Sequence, residues 1–530
     1  MQLLKHFKEL TIHPNNAQEV KSLIVQLAID GKLTKTSKVK HTCIGEIIEF
    51  TKNGFSGRPN DEGIGAKRLG IETVTQTDFI EVNEDMAKYI EIAEDKKDKY
   101  FVKNNDVLIC RQNGNLNFVG KAGVYYGEDN QLIFSDSLIQ VRPSLDIVDS
   151  SYLCIFINSK TARYQLDKFC STTAGNFSIN GTNLKKVAVP VYTLEEQKAI
   201  VEIVETLFKE VEQLEQLTAE RITLKEKFVT SALNQLTTNN TKKEWAFLQE
   251  HIHDFFNETS NIKKLRETVL QLAVQGKLTQ DWRSCHPELV SGSHHASELL
   301  KRIQKEKSKL IKDKKIKKEK PLPPITKDEM PYELPEGWVW CRFQEVFDIR
   351  DGTHDSPKNV SGANSYPLVT SKDFKNGEID FESAKRISKE DYYKIIQRSL
   401  VEEDDILFSM IGGNLGNQVM VKGNTDFAIK NVALFKYYNK SLSVPDFLKT
   451  FSEHIAYAVQ EKASGGAQPF VSLTFLRQML IPLPPLEEQK AIVQKVNTLM
   501  GLCDALEQEV QQSQQQSEEL MQSCLREVFN

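Results

Sequence analysis

The stretch VPVYTLEEQKAIVEIVETLF, from Val189 to Phe208, returns as IPLPPLEEQKAIVQKVNTLM, from Ile481 to Met500, with the octet LEEQKAIV identical in both copies. After each Pro-containing stop the apolar residues take helical period. Ile200, Val204, Leu207, Val211 and Leu214 step by four and three, and Ile492, Val496, Leu499, Cys503, Leu506 and Val510 follow the same register. Glu, Gln and Lys occupy the outer positions, so each helix, of about 40 residues, carries a narrow apolar stripe that must be buried against something of similar length. The duplicate helix is the simplest partner. Ile200, Val204, Leu207, Val211, Leu214, Ile492, Val496, Leu499, Leu506 and Val510 are therefore expected to pack a helix pair.

A second pair of segments recurs upstream: QLAIDGKLT, Gln26 to Thr34, and QLAVQGKLT, Gln271 to Thr279. At the same offset Leu3, Phe7, Leu10 and Val20 align with Leu248, Ile252, Phe255 and Leu265. Each pair brackets about 150 residues of mixed sequence, so the chain reads as helix, globular domain, helix, and then the same again. Gene duplication is the simplest cause. The closing QSCLREVFN resembles KSLIVQLAIDGKL near the start, which suggests a pseudo-twofold circular arrangement with the two long helices antiparallel, a coiled coil.

The expected organisation is an N-terminal helical segment (1–40), a globular domain (41–192), a central helical region (193–280), a basic Pro-containing linker (281–337), a second globular domain (338–485) and a C-terminal helix (486–530). Both domains mix short β-rich runs, such as Asp106 to Cys110 and Asp405 to Ser409, with Gly/Asn-rich turns and short helices, so an α+β fold is expected. Their sequences align at few points. DVLICRQNGNLNFVG (Asp106 to Gly120) matches DILFSMIGGNLGNQV (Asp405 to Val419), and TTAGNFSINGTNLKKVAVP corresponds loosely to ASGGAQPFVSLTFLRQMLIP. One segment breaks the symmetry: Glu298 to Lys320 holds 11 Lys/Arg against 4 Asp/Glu and reads as a linker or a solvated helix.

With 530 residues, 40% of them hydrophobic, the chain has room for two or more separate cores. It has no apolar run of membrane-spanning length and no signal-peptide pattern, so a soluble, cytoplasmic protein is expected. Eight scattered cysteines show no metal-ligand spacing. The net charge of −5 opposes gripping nucleic acid by bulk electrostatics, unless the basic groups gather on one surface.

The order and duplication of these segments, with the stretch LPEGWVWCRFQEVFDIRDGTH opening the second domain and GGAQPFVSL before its closing helix, resemble the specificity subunits of type I restriction-modification systems over essentially the full length. The resemblance implies two target recognition domains, each reading one half of a split double-stranded DNA site. It implies helices that set the spacer and dock two methyltransferase subunits and, through them, the restriction and translocation subunits. It also implies a non-catalytic chain with no cofactor of its own, S-adenosylmethionine, ATP and Mg belonging to the partners.

The residues themselves agree that chemistry is missing. Pro323-Pro324 and Pro484-Pro485 lack the acid or amide before and the aromatic after that an adenine methyltransferase motif needs, and GIGAKRLG (Gly63 to Gly70) has the wrong spacing for a phosphate loop. His251, His253, His286, His294 and His295 near Cys285 fit no zinc set.

DNA-contacting loops remain, because Asn and Gln can bond adenine edges and Arg and Lys can bond guanine or phosphate. The candidates are Arg111, Asn113, Asn115, Asn117, Lys121, Asn176, Ser178, Asn180 and Asn183 in the first domain. In the second they are Arg350, His354, Lys372, Asn414, Asn417, Gln418, Lys430, Gln468 and Ser472. The competing reading is that Gly/Asn loops simply make tight turns. Glu196, Lys198, Glu488 and Lys490 in the repeated octet are candidates for docking a partner, with helix capping as the alternative for this acidic first turn. A coiled-coil adaptor whose α+β domains bind peptides, and a fused enzyme, are the other classes to be separated.

Overall fold

The recurring QLA..GKL segments are helix ends. The first closes helix Ala17–Ile29 and the second closes helix Thr259–Val274. Beyond each last turn the backbone turns left-handed at Gly31 (φ 66°) and Gly276 (φ 68°). The Lys32 amide then reaches back to the Leu27 carbonyl at 2.8 Å, and the Lys277 amide to the Leu272 carbonyl at 2.9 Å. A residue without a Cβ takes this conformation at least cost, which explains the glycine in both copies.

The computed structural model describes residues 17–34, 39–60, 62–76, 80–173, 175–239, 242–289, 291–319, 322–362, 364–463 and 470–529. Leu3, Phe7, Leu10 and Gln468 lie outside the described residues. The chain divides into two units: one takes the residues up to Thr223 and those from Ser513 onward, and the other takes Leu224–Gln512. The long helices Leu194–Asn239 and Leu486–Phe529, of 46 and 44 residues, each contribute to both units.

Within each unit the globular domain is opened and closed by one antiparallel ribbon. Lys40–Cys43 pairs with Ala188–Val191 in the first and Val339–Arg342 with Leu480–Leu483 in the second. Inside the ribbon the α+β expectation holds, and the two domains share a topology that their sequences barely hint at. The first has a four-stranded antiparallel sheet in the order Ile48–Asn53, Leu138–Pro143, Val107–Cys110, Ala122–Val124. The second repeats it as Phe347–Asp351, Val432–Tyr437, Ile406–Ser409, Gln418–Met420.

A three-stranded sheet accompanies each. Ala66–Leu69 lies between antiparallel Lys88–Ile90 and parallel Ile133–Phe134, and Ser365–Val369 lies between antiparallel Lys385–Ser388 and parallel Ala428–Ile429. Strand Val107–Cys110 is apolar throughout because both its faces are buried: Val107 and Ile109 face one core, Leu108 and Cys110 another. Each main sheet also carries a buried carboxylate with a cation. Asp106 accepts Nε and a terminal nitrogen of Arg142, both at 2.8 Å, and Asp405 accepts Lys436.

The apolar stripes pack on short helices of their own units. Ile200, Val204 and Val211 are buried in one core with helices Ala17–Ile29 and Ser150–Ile157, and Leu207 packs on its edge. Leu214 is partly exposed. Ile492, Val496, Leu506 and Val510, with Leu499 at the edge, join the other core beside helix Thr259–Val274. That core also contains Val229, Leu233 and Leu236 from the end of the first long helix. In the first unit Leu520 of the last helix packs against the core that holds Ala17–Ile29.

The same two-copy logic places an ion pair. Lys21 Nζ meets Glu212 at 2.7 Å, and at the corresponding positions Arg266 meets Asp504 at 2.6 Å.

Residues 281–337 are not a free linker. Helix Ala296–Lys312 buries Leu299 and Ile303, four apart on one face, in the core of its unit. Lys307 donates to the Gln344 carbonyl at 2.8 Å, and Tyr332 Oη donates to the Val274 carbonyl at 3.0 Å. A composition dominated by lysine hid a single apolar stripe.

Candidate nucleic-acid interface

The sheet registers decide where the sequence candidates go. In the first domain strand Ile48–Asn53 ends beside Ile139, Val107–Cys110 ends beside Leu138, and Ala122 begins beside Ile109. Asn53, Arg111, Lys121 and Ser137 therefore emerge at one end of the sheet. In the second domain Asp351 pairs with Ala433, Ser409 with Val432, and Gln418 with Phe408. His354, Asn414, Asn417, Gln418 and Lys430 accordingly share the equivalent end.

A glycine opens the loop there in both copies. A Cβ on Gly54 would lie 2.2 Å from the Phe134 carbonyl oxygen, and one on Gly352 would lie 2.4 Å from that of Ile429. Neither approach tolerates a side chain.

At the first domain's loop end, Gln112–Asn113 pairs with Asn176–Ser178, which pairs with Ser171–Thr173. This brings Asn113, Asn176 and Ser178 together. Much of their neighbours' polarity is spent locally. Asn113 Oδ1 accepts the Asn115 amide at 2.9 Å, Asn115 Oδ1 the Asn117 amide at 3.0 Å, and Asn180 Oδ1 the Asn183 amide at 2.8 Å. Asn183 Nδ2 donates to the Phe169 carbonyl at 3.2 Å. For these asparagines turn chemistry accounts for one side-chain group each and leaves the other groups of Asn113, Asn115 and Asn180 for a ligand. Lys121 Nζ donates to the Thr75 carbonyl at 2.9 Å, and Arg111 donates to Gln112 Oε1 at 3.2 Å.

The second domain's loop end is organised around Asp351. Its carboxylate accepts Arg398, and His354 Nε2 stands 3.2 Å from it while His354 Nδ1 stands 3.1 Å from Asn431 Oδ1. Lys430 donates to Ser356, and Asn414 Nδ2 to the Ser371 carbonyl at 3.4 Å. Lys372 and Asn417 are exposed, and Gln418 Oε1 is buried without a partner. Arg350 is turned back onto Asp348 at 2.8 Å, which takes its guanidinium out of the loop cluster. Ser472 caps helix Leu473–Gln478 by accepting the Phe475 amide at 3.1 Å.

Sequence reasoning missed Asn53, Ser137 and Ser171 in the first domain and Arg398 and Asn431 in the second. The glycines ending the runs FTKNG and FDIRDG were the available signal.

The octet candidates divide. Lys198 and Lys490 are exposed, the latter bonded to Glu487 at 2.8 Å. Glu196 forms a cap with Thr193, accepting its amide at 3.0 Å and its hydroxyl at 2.9 Å. Glu488 is a correction, because it is fully buried and accepts Trp338 Nε1, Thr279 Oγ1 and Arg283. A carboxylate enclosed by three donors presents nothing to a partner.

Among the described residues there is no His/Cys/Asp/Glu group able to hold a metal ion, and no helix long and apolar enough to cross a membrane.

Residues 37–224 and 335–514, more than half of the chain, match the family described as type I restriction modification DNA specificity domain, and the chain belongs to that family. It is a specificity subunit, the non-catalytic component of such systems. The type I restriction enzyme EcoAI specificity subunit of Escherichia coli is 28% identical over 428 residues, covering 78% of this chain and 70% of that one. The EcoEI specificity subunit of the same species is 27% identical over 393 residues, covering 71% and 64%. A solved chain described as "Structural basis underlying complex assembly and conformational transition of the type I R-M system" superimposes with a TM-score of 0.53 at 17% identity, over 94% of this chain and 99% of that one. At that identity the likeness concerns the fold alone.

Proposed function

We propose that each globular domain reads one half of a bipartite double-stranded DNA site through its loop end, and that the two long helices fix the gap between the halves. The supporting observation is the convergence of Asn, Gln, Lys, His and Ser side chains at the same end of two sheets of identical strand order. Groups of this kind bond base edges and phosphates when loops carry them into a groove. A helix of 46 residues spans on the order of 70 Å, against about 35 Å for one DNA turn, so the rods are long enough to set major-groove sites about one turn apart.

In this reading the exposed Lys198 and Lys490, near the starts of the long helices, dock two methyltransferase subunits, and the restriction subunits join through those. S-adenosylmethionine, ATP and Mg serve the partners. The chain itself supplies recognition.

Purified chain mixed with its methyltransferase subunits should methylate adenines in two short half-sites separated by a fixed gap. Exchanging residues 41–192 for those of a relative should alter one half only. Methylation at a single unsplit site, or a change in both halves on exchange, would overturn the proposal.

A further inference from the structure

The two loop ends are built on one frame that holds side chains of opposite chemistry at matching places. In the first domain Gln112 pairs with Ser178, and the Ile179 amide donates to the Arg111 carbonyl at 2.9 Å. In the second Ile411 pairs with Phe470, and the Val471 amide donates to the Met410 carbonyl, also at 2.9 Å. The residue that follows is a helix cap in both, Asn180 and Ser472. Gln112 therefore corresponds to Ile411 and Ser178 to Phe470.

In the first domain both side chains are hydrogen-bonded: Gln112 Nε2 donates to Ser137 Oγ at 3.1 Å, and the Ser178 and Ser171 hydroxyls stand 3.0 Å apart. In the second domain Phe470 is 61% exposed and Ile411 38%. Directly opposed residues of an antiparallel pair place their Cβ atoms about 5 Å apart on one side, so these two form a single apolar edge amid polar loops.

Exposing such an edge has no return within the chain. It can bond neither phosphate nor a base donor or acceptor. The apolar group that a major-groove edge offers is the C5-methyl of thymine. Resting on the DNA reading above, we infer that Ile411 and Phe470 are specificity-determining residues that pack against thymine methyl groups in the half-site of the second domain, at the place where the first domain presents hydrogen-bonding side chains.

Random-sequence duplexes selected on the full chain, and on the double variant Ile411→Gln, Phe470→Ser, give the preferred site of each. The variant's site should differ in one half only. Within that half, replacing thymine by uracil removes only the methyl and should weaken wild-type binding about fourfold for each methyl lost, while the variant is insensitive to the replacement. A wild-type chain that selects a site yet ignores the uracil replacement overturns the methyl contact and leaves the DNA reading intact. A variant site altered in both halves overturns the assignment to the second domain. A wild-type chain that selects no sequence overturns the DNA reading and this inference with it. Should the variant melt well below wild type, the uracil replacement on the wild-type chain decides alone.

Discussion

The indole Nε1–H of Trp338 donates to the carboxylate of Glu488 at 2.8 Å, and the same carboxylate accepts Thr279 Oγ1 at 2.6 Å. Its duplicate, Glu196, instead caps its own helix through Thr193. The difference lies at the residue just before each octet, three before the glutamate: Thr193 can cap, whereas Pro485 has neither a side-chain acceptor nor an amide proton. Glu488→Ala should therefore cost about 3 to 5 kcal/mol, since it strands the buried Trp338 donor and the partly buried Arg283 guanidinium. Glu196→Ala should cost about 1 kcal/mol, the worth of a cap. Urea unfolding of the two variants measures both, and equal losses would contradict the asymmetry.

Lys21 is buried while its partner Glu212 is half-exposed. Glu212→Ala leaves an uncompensated buried ammonium and should destabilise the first unit by about 2 to 3 kcal/mol. Lys21→Met removes the buried charge, keeps the stem over the Phe208 ring that the ammonium now faces at 5.5 Å, and should change stability by less than about 1 kcal/mol. Chemical denaturation of both variants tests the ordering.

Gly352 admits no Cβ, because one would sit 2.4 Å from the Ile429 carbonyl oxygen. Gly352→Ala should force the loop away from the parallel strand at a cost of roughly 2 kcal/mol or more. Thermal melting would read this, and hydrogen exchange at the Thr353 amide, which donates to Ile429 at 2.9 Å, should accelerate. Unchanged exchange would mean the loop absorbs the methyl without moving.

Burial pushes Asp405 up to about 6, against the downward pull of Lys436 and of the Glu402 amide. The folded chain therefore holds this proton between about pH 4 and 6, where the unfolded chain, with an ordinary carboxylate near 4, has lost it. Proton binding by the folded state favours folding at the low end of that window, so the contribution of Asp405 falls as pH rises towards 6 and is level above it. Asp405→Asn should flatten the wild-type stability profile between pH 4 and 6 by about 1 to 2 kcal/mol. A profile parallel to wild type would show that Asp405 titrates normally.

Much of the frame was legible in the residues. The repeat of LEEQKAIV announced two long helices, QLA..GKL their short companions with glycine stops, and the poorly aligned stretches between them two α+β domains. The candidate loops were also legible as clusters, since Asn113, Asn115 and Asn180 are loop residues whether they turn the chain or face a ligand. Hidden were the individual roles. Arg350 reads as a loop cation and is clamped to Asp348, and the lysine-rich segment reads as a linker or a solvated helix and is a helix docked by one face.

What the amino-acid order determined by itself was everything carried by near neighbours: helical period, glycine stops, caps and the duplication. Only the tertiary structure decided which side chains meet. Thr193 before one octet and Pro485 before the other decide locally which glutamate can cap its own helix, but that Trp338, 150 positions away along the chain, closes over Glu488 is packing at a separation that leaves no trace in local pattern.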